Sequence, residues 1–146
     1  MVTGKGPQKD QYLEIFNQRN TQVWEGLINI TTVWLTADDY PKLVQSADLG
    51  VCLHYSSSGF DLPRKVVDMF SAGLPCLAKN YLCIEELVQD GRNGRLFETS
   101  DDLCDQLFDA LKAGPDGEIL KRYRENLREF GRDDSWDDQW KEVILG

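Results

Sequence analysis

The chain has 146 residues, 41% of them hydrophobic and 28% charged, with a formal net charge of -9. That length suits one domain with a sizeable core, and the acidic balance argues against nucleic acid or an anionic membrane as the main partner. No stretch approaches the roughly 18 apolar residues of a membrane span, and no signal peptide is visible. Four cysteines, Cys52, Cys76, Cys83 and Cys104, stand in apolar contexts without a CxxC pair. They read as buried, reduced thiols in a cytosolic environment and lack the spacing of a zinc site.

Met1 to Pro7 reads as the end of a strand running into a turn, with the body of the strand missing, so a truncated first strand is expected. Gly4-Lys5-Gly6-Pro7 is a tight turn: glycine permits close backbone approach, and proline suits the first turn of a helix. Residues 8 to 19 then carry Tyr12, Ile15, Phe16 and Arg19 at helical spacing. Leu27 to Leu35 is a β-branched, apolar run that suits a strand ending in Trp34 and Leu35. Asp38, Asp39 and Pro41 open a short helix through Ala47, with Tyr40, Leu43 and Val44 as its buried stripe. Val51 to His54 is the next strand, and its continuous apolarity predicts burial on both faces, as in a parallel sheet.

Cys52 to Pro75, CLHYSSSGFDLPRKVVDMFSAGLP, reads as a strand end, a polar Ser/Gly loop, and a helix that opens at Pro63 and stops at Gly73. A strand that empties into such a loop and a helix N-terminus is a ready anion site, with free N–H groups and partial positive charge. Arg64 and Lys65 place two cations on the first turn, where they oppose the helix dipole. A bound phosphate would give them a reason to be there. Lys79, Arg92 and Arg95 are further local cations in an acidic chain.

Leu74 to Lys79 follows as a buried strand, then a short helical stretch from Cys83 to Val88 and a double turn over Asp90 to Gly94. Arg95 to Glu98 is a brief strand. Ser100-Asp101-Asp102 caps an amphipathic helix with Leu103, Leu107, Ala110 and Leu111 on one face. Gly114 to Gly117 breaks the chain before a helix with Leu120, Tyr123, Leu127 and Phe130 inward. The tail carries Trp136, Trp140, Val143 and Ile144 at helical spacing. Short strands alternating with helices predict βαβ units and a Rossmann-like parallel sheet flanked by helices. Ligands then sit beyond the carboxyl ends of the strands, where the Gly4–Pro7 turn and the Ser56–Leu62 loop both fall.

Residues 66 to 98, a helix ending in AGLP, a strand and then EELVQDGRNGRLFE, resemble the carboxyl-terminal, donor-binding half of the GT-B glycosyltransferases. Asp68 takes the place of the acid in the family's helix, and Glu86 to Gly94 matches its E-x-V-x-x-G-x-x-G segment. The stretch WLTADDYPKLVQSADLGVCLHYSSSGFDLPRKVVDMF is similar to the branch of that family that adds the first mannose to dolichol-linked chitobiose, and the likeness runs over roughly residues 1 to 140. Retaining members carry two glutamates eight positions apart; here Asp61 and Asp68 are seven apart and Phe60 stands where an acid would. That departure fits an inverting enzyme. The second departure is length, since a GT-B enzyme has two such halves and this chain holds one.

The resemblance implies that GDP-mannose binds as donor substrate, with no tightly bound cofactor, and that the acceptor is reached through the missing half. It implies a place at the cytosolic face of the endoplasmic reticulum membrane, with membrane association only through the missing region, other glycosyltransferases as partners, and a soluble chain when alone. Ser56, Ser57, Ser58, Gly59 and Lys65, with Lys5 from the first turn, are then the candidates for the diphosphate, as donors aimed at developing charge. Asp68, Glu86 and Asp61 are candidates for ribose or sugar, although ion pairing on the helix, helix-terminal charge and an N-cap respectively would explain them without a ligand. Trp34 and Leu35 are candidates to flank the base, and a core role accounts for Trp34 equally. His54, the only histidine, is a general-base candidate or a structural hydrogen-bonding residue. No acidic pair resembles the D-x-D of metal-dependent transferases, so no metal is expected in this half.

Residues 1–134 are expected to form the donor domain and residues 135–146 a terminal helix that packs toward the missing half. Alone, the chain is expected to lack transferase activity. The alternatives are a truncated, non-catalytic paralogue acting as a binding or assembly module, and an independent flavodoxin-like module.

Overall fold

The computed structural model describes residues 1–4, 6–133 and 141. Lys5 and, apart from Lys141, the expected terminal helix lie outside the described residues. The chain divides into two compact units, Met1–Tyr40 and Pro41–Gly146.

In the first unit, strand β1 (Val2–Thr3) pairs in parallel with β2 (Thr32–Val33), Val2 against Thr32 and Thr3 against Val33. Helix α1 (Lys9–Gln22) makes the crossover. None of its residues is fully buried, and its Tyr12 and Phe16 rings meet one turn apart at 6.1 Å. Glu25 and Gly26, at φ 49° and 79°, turn the chain after the helix. The strand expected over Leu27–Leu35 is only two residues long. Leu27, 88% exposed, lies instead in the bend after α1, its N–H donating to the Trp24 carbonyl at 2.8 Å. Trp34 and Leu35 lie just past β2 rather than within it.

Helix α2 (Tyr40–Gln45) stops short of the expected Ala47, where the Ser46 hydroxyl donates to the Leu43 carbonyl at 2.8 Å and competes with continued helix. Val44 is its one buried residue. The second unit is built on a three-stranded parallel sheet, β3 (Gly50–Cys52), β4 (Cys76–Lys79) and β5 (Gly94–Phe97), in that order. Cys76 pairs with Gly50 on one side and Gly94 on the other. Central β4 is buried from Cys76 to Ala78.

Edge strand β3 corrects the expectation of burial on both faces. Cys52 joins the core beside Val66, whereas Val51 on the opposite face is 38% exposed. An apolar run in an edge strand does not require two covering layers, and here one face is covered. The strand also ends at Cys52, two residues before His54.

Helix α3 (Arg64–Ser71) covers that face, with Pro63 as N-cap and Val66 fully buried, worth about 2 kcal/mol for a side chain of its size. It ends in a Schellman motif: Gly73, at φ 70°, donates to the Phe70 carbonyl and Leu74 to that of Met69, both at 2.9 Å. A 3-10 turn at Ile84–Glu86 follows β4. The double turn after it is pinned from inside by Asn93, whose buried amide accepts from the Gln89 N–H at 2.9 Å and donates to the Leu87 carbonyl at 3.1 Å.

Helix α4 (Ser100–Leu111) is capped by Thr99, one residue before the expected cap. Thr99 Oγ1 accepts from the Asp102 N–H at 3.1 Å, and the Asp102 carboxylate accepts from the Thr99 N–H at 2.8 Å, a capping box. Its inner face is Leu103, Leu107 and buried Ala110, while Leu111 is largely exposed. Cys104 is also exposed, against expectation, because it lies on the helix flank away from that stripe; Cys52, Cys76 and Cys83 are buried, and all four thiols are free. Helix α5 (Glu118–Asp133) buries Leu120, Tyr123 and Leu127, and Phe130 meets Phe70 edge-on at 6.3 Å. Among the described residues no helix is long and apolar enough to cross a membrane.

Candidate functional site

The chain leaves β3 at Cys52 and returns to start α3 at Arg64; the loop between is organised by one buried hydroxyl. Ser56 Oγ accepts the Gly59 N–H at 2.9 Å, donates to Asp61 Oδ1, and lies 3.1 Å from Ser58 Oγ. Ser58 Oγ in turn accepts the Phe60 N–H at 3.3 Å. Gly59 takes φ 81°, a left-handed conformation that glycine adopts without strain. The second Asp61 oxygen, Oδ2, is 2.8 Å from His54 Nε2. The Asp61 backbone carbonyl accepts the Tyr81 hydroxyl at 2.8 Å, which ties the loop to the exit of β4.

The electrostatics follow from these contacts. Hydrogen bonds from Ser56 and then His54 hold the Asp61 carboxyl below its ordinary range. Burial pushes the Tyr81 phenol up to about 12, so it stays a donor. Burial, and then the Glu86 carboxylate, push the Cys83 thiol up; burial does the same to Cys76. These thiols remain protonated and are poor nucleophiles.

The hydroxyls of Ser56 and Ser58 are thus engaged in holding the loop. Ser57 is exposed, and neither its hydroxyl nor the N–H groups of Ser57 and Ser58 have a partner among the described residues. Asp61 is not a helix cap, since Pro63 holds that position and the carboxylate is committed to Ser56 and His54. Arg64 and Lys65 form the first turn of α3, which contains no acid. Among the described residues they form no ion pair, and Asp68, one turn on from Lys65, pairs with neither. The helix ion pair that would have explained these three side chains without a ligand is not formed.

Other expected residues lie elsewhere. Glu86 is exposed in the 3-10 turn. Arg92 binds Gln89 Oε1 at 2.8 Å and Arg95, on β5, binds Asp90 at 3.1 Å, so both are engaged at the double turn. Trp34, 61% exposed, and half-buried Leu35 belong to the first unit. Lys5 is outside the described residues.

Sequence reasoning missed a cavity of about 460 Å³ at the carboxyl ends of β4 and β5, lined by Tyr55, Lys79, Asn80, Tyr81, Leu82, Glu85 and Glu98. Asn80 Nδ2 donates to Glu98 Oε1 at 2.9 Å, and the Lys79 ammonium donates to the Glu98 carbonyl. The rule that ligands sit beyond strand ends pointed there, but the three contributing segments are far apart in sequence. Tyr81 joins this cavity to the serine loop. Among the described residues no group of His, Cys, Asp and Glu is placed to hold a metal ion.

The chain is similar to curated proteins along nearly its whole length. It is 46% identical over 143 residues to the UDP-glycosyltransferase TURAN of Arabidopsis thaliana, covering 97% of this chain and 30% of the relative. It is 46% identical over 146 residues to the chitobiosyldiphosphodolichol beta-mannosyltransferase of Homo sapiens, covering 99% and 30%, and 44% identical over 146 residues to that of Mus musculus, covering 99% and 29%. The chain therefore spans about 30% of the length of these relatives. Residues 1–113 match the model of the group 1 glycosyl transferases, and with the parallel α/β fold described above this chain belongs to that family.

Proposed function

We propose that this chain is the donor-binding part of an inverting mannosyltransferase that takes GDP-mannose as donor and extends dolichol-linked chitobiose at the cytosolic face of the endoplasmic reticulum, in company with other glycosyltransferases. Relatives in several organisms carry the name of that mannosyltransferase. The observation that carries the reading is the start of α3, where two cations without a carboxylate partner among the described residues follow a loop with free N–H groups. In the transfer, a base takes the proton of the acceptor hydroxyl as its oxygen bonds to the anomeric carbon, while the bond from that carbon to the diphosphate breaks. GDP leaves with the electron pair, and fixed donors that meet this charge lower the barrier. The N–H groups of Ser57 and Ser58 and the Lys65 ammonium take that role, and Asp68 accepts from the ribose hydroxyls.

The name of the Arabidopsis relative favours a second reading, a UDP-sugar donor in the same cradle. Calorimetric titration of the chain with GDP-mannose and with UDP-glucose decides between them. GDP-mannose is expected to bind, and Lys65→Ala to weaken it about tenfold, the worth of one charge-assisted hydrogen bond. Binding of UDP-glucose alone would establish the second reading, and no binding of either at millimolar concentration would refute both.

A further inference from the structure

We propose that His54 is itself a ligand of the donor diphosphate, its ring aimed by Asp61, so that nucleotide-sugar binding takes up a proton. This rests on the donor reading above and assigns a new residue to that site.

His54 stands two residues beyond β3, at the carboxyl end of the strand, and its side chain is 40% exposed. Its Nε2 lies 2.8 Å from Asp61 Oδ2. A carboxylate only accepts, so Nε2 carries the hydrogen in either protonation state, and Nδ1 is the atom left to change. Among the described residues Nδ1 has no partner. In the neutral ring it presents a lone pair, which a phosphate oxygen does not tolerate; in the imidazolium it presents an N–H with a full charge. A phosphate at Nδ1 therefore selects the protonated ring.

Asp61 is the positioning residue. Its Oδ1 is held by Ser56, which keeps Oδ2 on the ring nitrogen. The remaining groups around the ring are fixed in character. Tyr81 meets it edge-on at 6.2 Å with its phenol committed to the Asp61 carbonyl, and Tyr55 packs against Tyr81 at 5.9 Å. The Cys83 thiol contacts the same carbonyl at 3.8 Å, with Glu86 behind it. Arg64 and Lys65 open the helix that follows the loop, and Cys52 ends the strand that precedes the ring. Histidine is the side-chain type that ordinarily changes charge between about pH 5 and 8.

The test is calorimetric titration of the chain with GDP-mannose, whose diphosphate is esterified at both ends and keeps a constant charge over this interval. Titrations run from about pH 5.5 to pH 8 in buffers of different ionisation enthalpy, which report the protons taken up. The wild-type chain is expected to take up part of a proton on binding and to lose about tenfold in affinity toward the alkaline end. His54→Gln removes the uptake and flattens the profile at the wild-type alkaline affinity. Asp61→Ala, which removes the acceptor that aims the ring, reduces the uptake. Binding by the wild type without proton uptake would overturn the inference and leave the donor reading intact, as would a His54→Gln profile that kept the wild-type slope. Absence of binding at every pH would instead refute the donor reading. A purely structural His54 would change affinity equally at all pH, and the wild-type uptake can be measured even if a variant does not fold.

Discussion

Two adjacent serines in one loop are expected to do different work, and substituting each with alanine separates them. Ser56 is 3% exposed, and its hydroxyl accepts the Gly59 N–H at 2.9 Å. Ser56→Ala leaves that N–H without its acceptor, at a cost of about 1–2 kcal/mol, and releases the left-handed turn at Gly59. Asp61 also loses the larger of the two hydrogen bonds that hold its carboxyl low. For a chain of this size the melting temperature falls by about 3 °C per kcal/mol, so a drop of about 3–6 °C is expected. Ser57 is exposed, and its hydroxyl has no partner among the described residues; Ser57→Ala stays within about 0.5 kcal/mol of wild type. Thermal unfolding of both variants, paired with GDP-mannose titration, gives the comparison. Ser56→Ala lowers both stability and affinity, and Ser57→Ala leaves the melting temperature in place. A Ser56→Ala protein that melted with the wild type would refute the assignment of that hydroxyl to loop architecture.

The glycines of the sheet supply a second contrast. A Cβ on Gly94 runs into the backbone carbonyl oxygen of Cys76 and lies 3.2 Å from Val88 Cγ1, so β4 and β5 must part to admit it. Gly94→Ala is expected to cost more than about 2 kcal/mol, and Gly50→Ala, which meets only the flexible end of Met69, about 1 kcal/mol; equal shifts in urea midpoint would contradict this. At α4, Thr99→Ala removes the capping box and costs about 1 kcal/mol. Backbone and side-chain hydrogen bonds from Thr99, then the Glu98 N–H, hold the Asp102 carboxyl below its ordinary range. A depressed carboxyl contributes stability that is present above its unfolded value and lost as pH falls through the folded one. Asp102→Asn should therefore be less stable than wild type at neutral pH, and the gap should close in acid; a constant gap would argue that the charge does not matter.

The order of elements was legible because each is announced locally. Helical spacing, glycine stops and turn clusters gave α1, α3, the double turn and α5 close to their observed limits. Strand length was not legible, because it depends on pairing with a distant segment: β2 is the part that meets Val2 and Thr3, and no property of Leu27–Leu35 itself reveals which part that is. The cap of α4 was available but misjudged. Thr99 and Ser100 are both good caps, and the spacing from Thr99 to Asp102 selects the first.

The candidate site divides along the same line between local and distant causes. Arg64 and Lys65 could be singled out because cations on a first helical turn contradict a local preference, and among the described residues no acid pairs with them to resolve it. From the sequence, Ser56 is a diphosphate candidate, Asp61 a sugar ligand or an N-cap, and His54 a general base or a structural hydrogen-bonding residue, each read separately. They form one cluster instead because the loop folds back over seven residues to join a strand end to a helix start. Side chains bound to one another in this way cannot all face a ligand. Under the proposed reading, the donors to an anion are therefore the N–H groups of Ser57 and Ser58, without partners among the described residues, and the two cations that open α3, while the Ser56 and Asp61 side chains hold the loop in shape.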